Sequence, residues 1–455
     1  MASLIDPGIS HPTDFQINSL FLISDSGRSV DLRLVMGELN IFEDIFNSCI
    51  VGDLVISDSN NLINMLPLTG FEYLLIEFTK PSQIQKFTKV FRVYKITNRK
   101  PKSHQNEVYI IHFCSEEAIL NESIRVSKIY NKQSIDAIVK DISSRYLNIN
   151  ENKFSISKSN KTSGVYNISI PNWRPFYAIN WLSKMAVTKK YSGASYVFFE
   201  NRDGFQFVSL EELSQQPHIK QFLSSSMQSG FETDPSKPDV QLEGESIMDY
   251  EILGTFDMLE NISSGMFSST LITVDPLRQR ISIVPKSSSE VFSRTEHLNS
   301  NALVSDAVNR RKLPVTKEQQ SFYRIYPTTL GHDKLIYAKR YAENELRANN
   351  VEQWLLQRHM YFGGIHTQRM NIAVAGDVLL TVGKTVDVKL PAILAQTAIR
   401  EFDALYSGKY LITALRHSIN EGAHLCYLEL SKDSVTDKYP AALKNDAALN
   451  IIKES

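Results

Sequence analysis

The sequence predicts an α+β chain that is mainly β, with an antiparallel β-barrel or sandwich domain at each end and mixed α/β domains between. Three observations carry this. Apolar and polar residues alternate in period two over 53–113, the same alternation returns over 371–430, and between the two the apolar spacing becomes helical. At 455 residues and 51.7 kDa the chain exceeds what one core organises, which implies about three domains. With 42% hydrophobic and 22% charged residues, each domain can bury a core without covalent staples.

The first β domain is expected over 13–115. Asp53–Ser57, Glu72–Phe78, Phe87–Thr97 and Glu107–Phe113 read as half-buried strands, punctuated by Pro67 with Gly70, Pro81 with Ser82, and 101–106. An α+β domain follows over 116–222. Ile135, Ile138, Val139, Ile142 and Leu147 make one helical stripe, with Asn131 or Ser134 available as a cap. A second helix begins at Pro175, a residue suited to a first helical position, and carries Phe176, Ile179, Leu182 and Ala186. Ser195–Glu200 and Gly204–Ser209 read as a hairpin turned by Asn201–Gly204. A loop-rich insert or third domain is expected over 223–335, with linkers over 224–246 and 286–320 and no assigned fold over 249–285. A helix over 336–362 is expected to end at a Gly363–Gly364 C-cap. The second β domain spans 363–435, with strands at Val378–Val382, Thr385–Leu390, Lys409–His417 and Leu425–Leu430, and a tail occupies 436–455. Gly52-Asp53 and Gly376-Asp377, each entering a strand, hint at duplication of the end domains.

Composition excludes several classes of function. A net charge of -1 leaves no long-range field to gather nucleic acid or anionic lipid. Cys49, Cys114 and Cys426 are odd in number and far apart, which points to buried thiols made in a reducing compartment. Met1–Asp14 lacks the charge and apolar core of a secretory signal, and no apolar run reaches membrane-spanning length, so no membrane insertion is expected. Sequons at Asn121, Asn160, Asn167 and Asn261 therefore carry no weight.

Candidate chemistry is sparse. Gly383-Lys384-Thr385 has the end of a phosphate loop, but Val378 occupies the position of the earlier glycine and a strand follows, so a β-turn is the better reading. His417 and His424 flank a turn, with Cys426 on the face of His424. This trio could bind zinc or iron, and ordinary strand residues are the preferred reading. His359 and His366 have no acidic residue at metalloprotease spacing. The pairs Glu116-Glu117 and Glu211-Glu212 read as solvated surface, Arg310-Arg311-Lys312 as a solubilising run, and Phe198, Phe199, Phe205 and Phe207 as core. No zincin, nucleophile-elbow or Cys-x-x-Cys signature occurs, so no cofactor and no enzymatic activity are expected.

Several segments, in order, resemble the central baseplate hub proteins of contractile-tailed, T-even-like bacteriophages. They are Leu39–Asn47, Gly52–Ser57 and Leu66–Phe78, then Ile170–Leu182 and Tyr196–Leu210, then Ser407–Thr413 followed by His417. The resemblance implies that the two end domains are tube-like and that a homotrimer forms a quasi-sixfold ring adapting a hexameric tail tube to a trimeric central spike. It implies as partners the tube, spike and baseplate wedge proteins, with phage DNA passing unbound through the lumen, in a virion tail baseplate assembled in host cytoplasm. It makes the strands assembly surface, at Leu54, Ile56, Leu75, Phe78, Tyr410 and Ile412. Residues 230–320 are longer and more polar than the resemblance leads one to expect, and 436–455 have no counterpart. The alternatives are a spike or hub subunit of a contractile secretion system or bacteriocin, and a hub that cleaves peptidoglycan with Glu245, Glu251 or Glu260.

Overall fold

A computed structural model describes residues 11–59, 68–81, 83–103, 106–156, 161–190, 193–224, 245–254, 257–275, 279–302, 322–327, 351–391, 402–403, 405–420 and 422–436. The expected run Arg310-Arg311-Lys312, most of the linker over 224–246 and the tail beyond Thr436 lie outside them. Among the described residues no helix is long and apolar enough to cross a membrane.

The fold is mainly β. Seven strands build the first end domain: β1 (Gln16–Ile23), β2 (Ser29–Asp31), β3 (Met36–Asp44), β4 (Val51–Asp58), β5 (Tyr73–Thr79), β6 (Lys86–Ser103) and β7 (Asn106–Cys114). They pair in the order β2-β1-β5-β6-β7-β4-β3, every neighbour antiparallel. Alternation works as predicted: Leu54 and Ile56 on β4, and Leu74, Ile76 and Phe78 on β5, turn into one core while their neighbours stay half-exposed.

The middle of the chain holds α1 (Glu116–Ser123), β8 (Val126–Gln133), α2 (Ile135–Tyr146), β9 (Phe154–Ile156), β10 (Tyr166–Trp173), α3 (Pro175–Met185), β11 (Tyr196–Asn201), β12 (Gly204–Ser209) and α4 (Leu210–Ser214). The two amphipathic helices and the hairpin stand where periodicity placed them, with Pro175 at the start of α3. Their apolar faces share one core with Phe198, Phe205 and Phe207. Phe199 points the other way, into the core of the second end domain.

Then come β13 (His218–Ser224), β14 (Ser246–Gly254), α5 (Met258–Ser263), β15 (Ser268–Asp275), β16 (Arg280–Ser287), α6 (Ser288–Phe292), β17 (Asn301–Ala302), β18 (Phe322–Pro327) and α7 (Val351–Ile365). Strands β16, β15 and β18 form a small separate sheet. The last strands are β19 (Gln368–Ala375), β20 (Thr385–Lys389), β21 (Gly408–Asn420), β22 (His424–Lys432) and β23 (Ser434–Val435). The second end domain is a closed barrel in the cyclic order β21-β20-β13-β14-β19-β22, with β22 pairing back to β21.

Three expectations are corrected. The second barrel is not confined to 363–435, because it takes β13 and β14 from the preceding segments to close its circle, with β13 and β14 joined over two residue pairs. Val378–Val382 is a buried loop rather than a strand: Val378, Leu380 and Val382 alternate inward, but the Asp377 carboxylate accepts from Leu379 N at 2.8 Å and turns the chain. Gly363–Gly364 is no C-cap, since α7 runs on to Ile365 and Gly363 instead lets the helix pass close to Met266.

Candidate assembly interface

The two end domains meet along a single antiparallel junction, with β3 paired to β21 from Asp44↔Ala414 to Glu38↔Asn420. A thirteen-stranded sheet therefore runs through both domains without a break. Ladder hydrogen bonds set this contact, and side chains lock it. Arg416 donates from Nε to Asn40 Oδ1 at 2.9 Å and from Nη2 to Glu38 Oε1 at 3.0 Å, while Asn40 donates to Asp53 at 2.9 Å. The cores also interlock, since Val378 and Ile419 enter the core of the first domain and Ile45 enters that of the second.

Buried charges brace the same seam. Glu43 accepts from Thr381 Oγ1 and from Val382 N, and burial pushes its carboxyl up to about 7. Lys80 donates to Gly376 O at 3.1 Å, and Gln83 to Asp377 Oδ1 at 2.7 Å. Burial opposes ionisation of Asp377, but Lys220, 2.8 Å away, and its hydrogen bonds hold it down at about 2. The middle domain is tied in by Glu200, which accepts from Lys89 Nζ at 2.7 Å, from Ile50 N at 3.0 Å and from Ser115 Oγ. Arg358 of α7 is held by the carbonyls of Ser183, Ala194 and Tyr196, and burial lowers its pKa to about 10. None of these partners has a local sequence signal, because each pair is joined across 85 residues or more.

Five strands of the second barrel repeat five of the first domain, whereas the strand beside β5, β1, is antiparallel to it and the strand beside β20, β13, is parallel. β4, β5, β6 and β7 correspond to β19, β20, β21 and β22, and the registers agree: Val51↔Cys114 matches Arg369↔Ser431, and Tyr73↔Arg92 matches Thr385↔Leu411. A β-bulge falls at the same place in both long hairpins, between Val93 and Lys95 on β6 and between Ile412 and Ala414 on β21. β14 then corresponds to β3. The Gly-Asp pairs are not equivalent, since Gly52 lies on β4 while Gly376 lies beyond the end of β19.

This correspondence exposes two unpaired edges. On β21 the stretch after the bulge is covered by β3; on β6 the same stretch, from Lys95 onward, has β7 on one side and no described strand on the other. β14 has β19 on one side and is covered by β13 only at Ser246 and Ile247 on the other. Tyr94 beside the first edge and Met248, Tyr250 and Leu253 on the second keep 40% to 50% of their surface exposed. No sequence pattern marks these edges, because an edge is defined by which strand is missing.

Of the six positions expected at the assembly surface, Leu54, Ile56, Phe78, Tyr410 and Ile412 lie wholly inside the two cores, and Leu75 is half-buried on the outer face. These five side chains hold their strands in place and cannot themselves touch a neighbour. Gly383-Lys384-Thr385 forms a turn with Gly383 at φ +80, and Thr385 Oγ1 donates to Gln216 and Pro217 carbonyls. His359 Nε2 donates to Ser264 O at 2.9 Å, and the His366 ring lies 5.2 Å from that of Phe46, tilted by 45°. The carboxylate pairs depart from a solvated surface. Glu211 is fully buried against Ser195 Oγ, and burial pushes Glu117 up to about 7. Glu251 and Glu260 are exposed on β14 and α5, and Glu245 precedes β14. His417 on β21 and His424 and Cys426 on β22 are strand residues, and their side chains are brought together in the interior.

No protein-family model matches the chain. A "Probable baseplate hub protein" of Vibrio phage KVP40 is 20% identical over 402 residues, covering 87% of this chain and 89% of that protein. Two solved structures share the fold. A 43 kDa tail protein of prophage MuSo2 from Shewanella oneidensis has a TM-score of 0.53 at 10% identity, covering 92% of this chain and 99% of its own. A tail protein from Neisseria meningitidis MC58 has a TM-score of 0.51 at 10% identity, covering 91% and 96%. The resemblance to phage baseplate hub proteins thus extends along nearly the whole chain.

Proposed function

We propose that the chain is the structural hub subunit of a contractile phage tail, and that three copies close into a ring of six similar β domains. The observation that supports this is the repeated domain with complementary open edges. Within one chain β3 covers β21; the equivalent contact between chains sets β14 of one copy against β6 of the next. A heterologous contact of that kind generates rings when its rotation closes. Three chains supply six domains, which suits a ring that meets a sixfold tail tube on one side and a threefold spike on the other. Wedge proteins then dock around it, and DNA passes through without specific contacts. The role is one of geometry, with no catalysis, and its setting is the virion baseplate, assembled in host cytoplasm.

The register of the internal junction fixes the external one. Arg416↔Phe42 corresponds to Thr97 on β6 facing Gly254 on β14 of the neighbouring copy. A Cβ at Gly254 would meet nothing within 4 Å, so a cysteine fits there. The double variant Thr97→Cys/Gly254→Cys should, on mild oxidation, migrate as a covalent trimer of three 51.7 kDa chains, while each single variant stays uncrosslinked. The unmodified chain should have the same tripled mass by light scattering. A strictly monomeric chain, in the presence and absence of spike protein, would defeat the proposal; a trimer that does not crosslink would defeat the register alone. A lytic band on cell-wall zymography would end the claim that the role is purely structural.

A further inference from the structure

Strands β21 and β22 bring three metal-binding atoms to one buried point. His417 lies opposite Cys426, and His424 opposite Ile419, so the pairing puts all three side chains on the inner face of the hairpin. His417 Nδ1 is 3.0 Å from His424 Nε2 and 3.3 Å from Cys426 Sγ, and Sγ is 3.8 Å from His424 Nε2. None of the three residues is more than 1% exposed.

These three contacts cannot all be hydrogen bonds. An imidazole nitrogen either carries a proton or offers one lone pair, and the thiol has a single proton, so at most two sides of the triangle are well-formed bonds in any tautomer. The far nitrogens, His417 Nε2 and His424 Nδ1, find no partner among the described residues either. A cation at the centre uses all three inward lone pairs at once. With zinc–nitrogen distances of about 2.0–2.1 Å and zinc–sulfur of about 2.3 Å, tetrahedral ligand atoms stand roughly 3.3–3.6 Å apart. The separations in the structure bracket that range.

We propose that His417 Nδ1, His424 Nε2 and Cys426 Sγ form a structural zinc site. On binding, the Cys426 S–H bond breaks and its proton leaves to solvent as the sulfur–zinc bond forms, while the two imidazoles bind neutral. The Asp377 carbonyl oxygen, 3.9 Å from Cys426 Sγ, offers the fourth ligand. Lys80 and Lys220 oppose a cation here, and the carboxylate of Asp377 together with the new thiolate offsets them. The site has a structural purpose in its surroundings. Phe78 of β5 and Phe87 of β6 pack against the two imidazoles from the first domain, with ring centroids 5.4–6.1 Å away, so the metal would fix the barrel hairpin that carries the seam. This inference does not depend on the trimer.

The full chain, purified under reducing conditions and stripped with chelator, is titrated with zinc and with cobalt. About one zinc per chain is expected, with cobalt giving the visible and near-ultraviolet bands of a tetrahedral thiolate complex. Cys426→Ser should abolish the thiolate band, and His424→Gln should weaken binding by about tenfold or more. Zinc should also raise the melting temperature of the unmodified chain. A folded, reduced, unmodified chain that takes up no stoichiometric zinc and shows no cobalt–thiolate band overturns the proposal, whatever happens to the variants.

Discussion

On β22, Lys432 extends its whole side chain into the second barrel, where Nζ donates to Ser407 O at 2.9 Å and lies 4.5 Å from the centre of the Tyr410 ring. Burial lowers its pKa from 10.5 to about 7, with Asp403 and Asp387 only partly opposing the shift. The folded value lies below the unfolded one, so the unfolded chain binds more protons between the two. Stability therefore rises as pH climbs from about 7 towards 10.5, and the cost of the buried charge is fully present below the lower value. Lys432→Met, of similar length and without the charge, should stabilise the chain at pH 6 by on the order of 2–3 kcal/mol and gain nothing near pH 10. Thermal melts of both proteins at the two pH values check this: the unmodified chain should gain more on raising the pH.

At the scale of elements, the sequence was informative wherever one strand or helix buries one face. β4, β5, β7, β21 and β22 follow from alternation, and α2 and α3 from helical stripes, because each residue's environment is set by its own strand or helix. It was silent where burial depends on a distant partner. β13 and β14 look like edges of a polar linker, and only the closed barrel makes strands of them. Val378, Leu380 and Val382 alternate like a strand, yet they form a buried loop that puts Val378 into the first domain's core and Leu380 and Val382 into the second's, with Glu43 accepting from Val382 N. The trio of His417, His424 and Cys426 was visible as spacing, but its convergence hung on a register that only the paired hairpin supplies. Gly363 and Gly364 illustrate the same limit and give a test. A Cβ at Gly363 would stand 3.0 Å from Met266 Cγ, whereas one at Gly364 meets its nearest atom at 4.0 Å. Gly363→Val should thus cost about 1–3 kcal/mol by overpacking, while Gly364→Ala should gain up to about 1 kcal/mol from helix propensity. Urea unfolding of both variants separates a close approach from a helix end, since a true C-cap would make both substitutions harmful.

For the whole molecule, the repeat makes closure a question of angle. If the external β14–β6 contact reproduces the internal β3–β21 contact, each junction turns the sheet by the same amount, and six equal turns complete a circle after three chains. A contact whose turn does not close would leave both edges open and add chains without limit. The two cases predict different mass distributions. A closed ring should show only one-chain and three-chain species in sedimentation velocity across a hundredfold range of concentration; an open contact should give a ladder that lengthens as concentration rises. Because the junction is made of main-chain hydrogen bonds more than ion pairs, raising salt should shift this balance little. Lys384→Ala, on a turn remote from both edges in the pairing scheme, should leave the distribution unchanged. A variant that charges the open edge, Tyr250→Asp, should move it to the single chain without loss of fold, since Tyr250 is 43% exposed and outside both cores. Retained circular dichroism together with a one-chain mass is the expected result; a three-chain mass for Tyr250→Asp would place the interface on another surface.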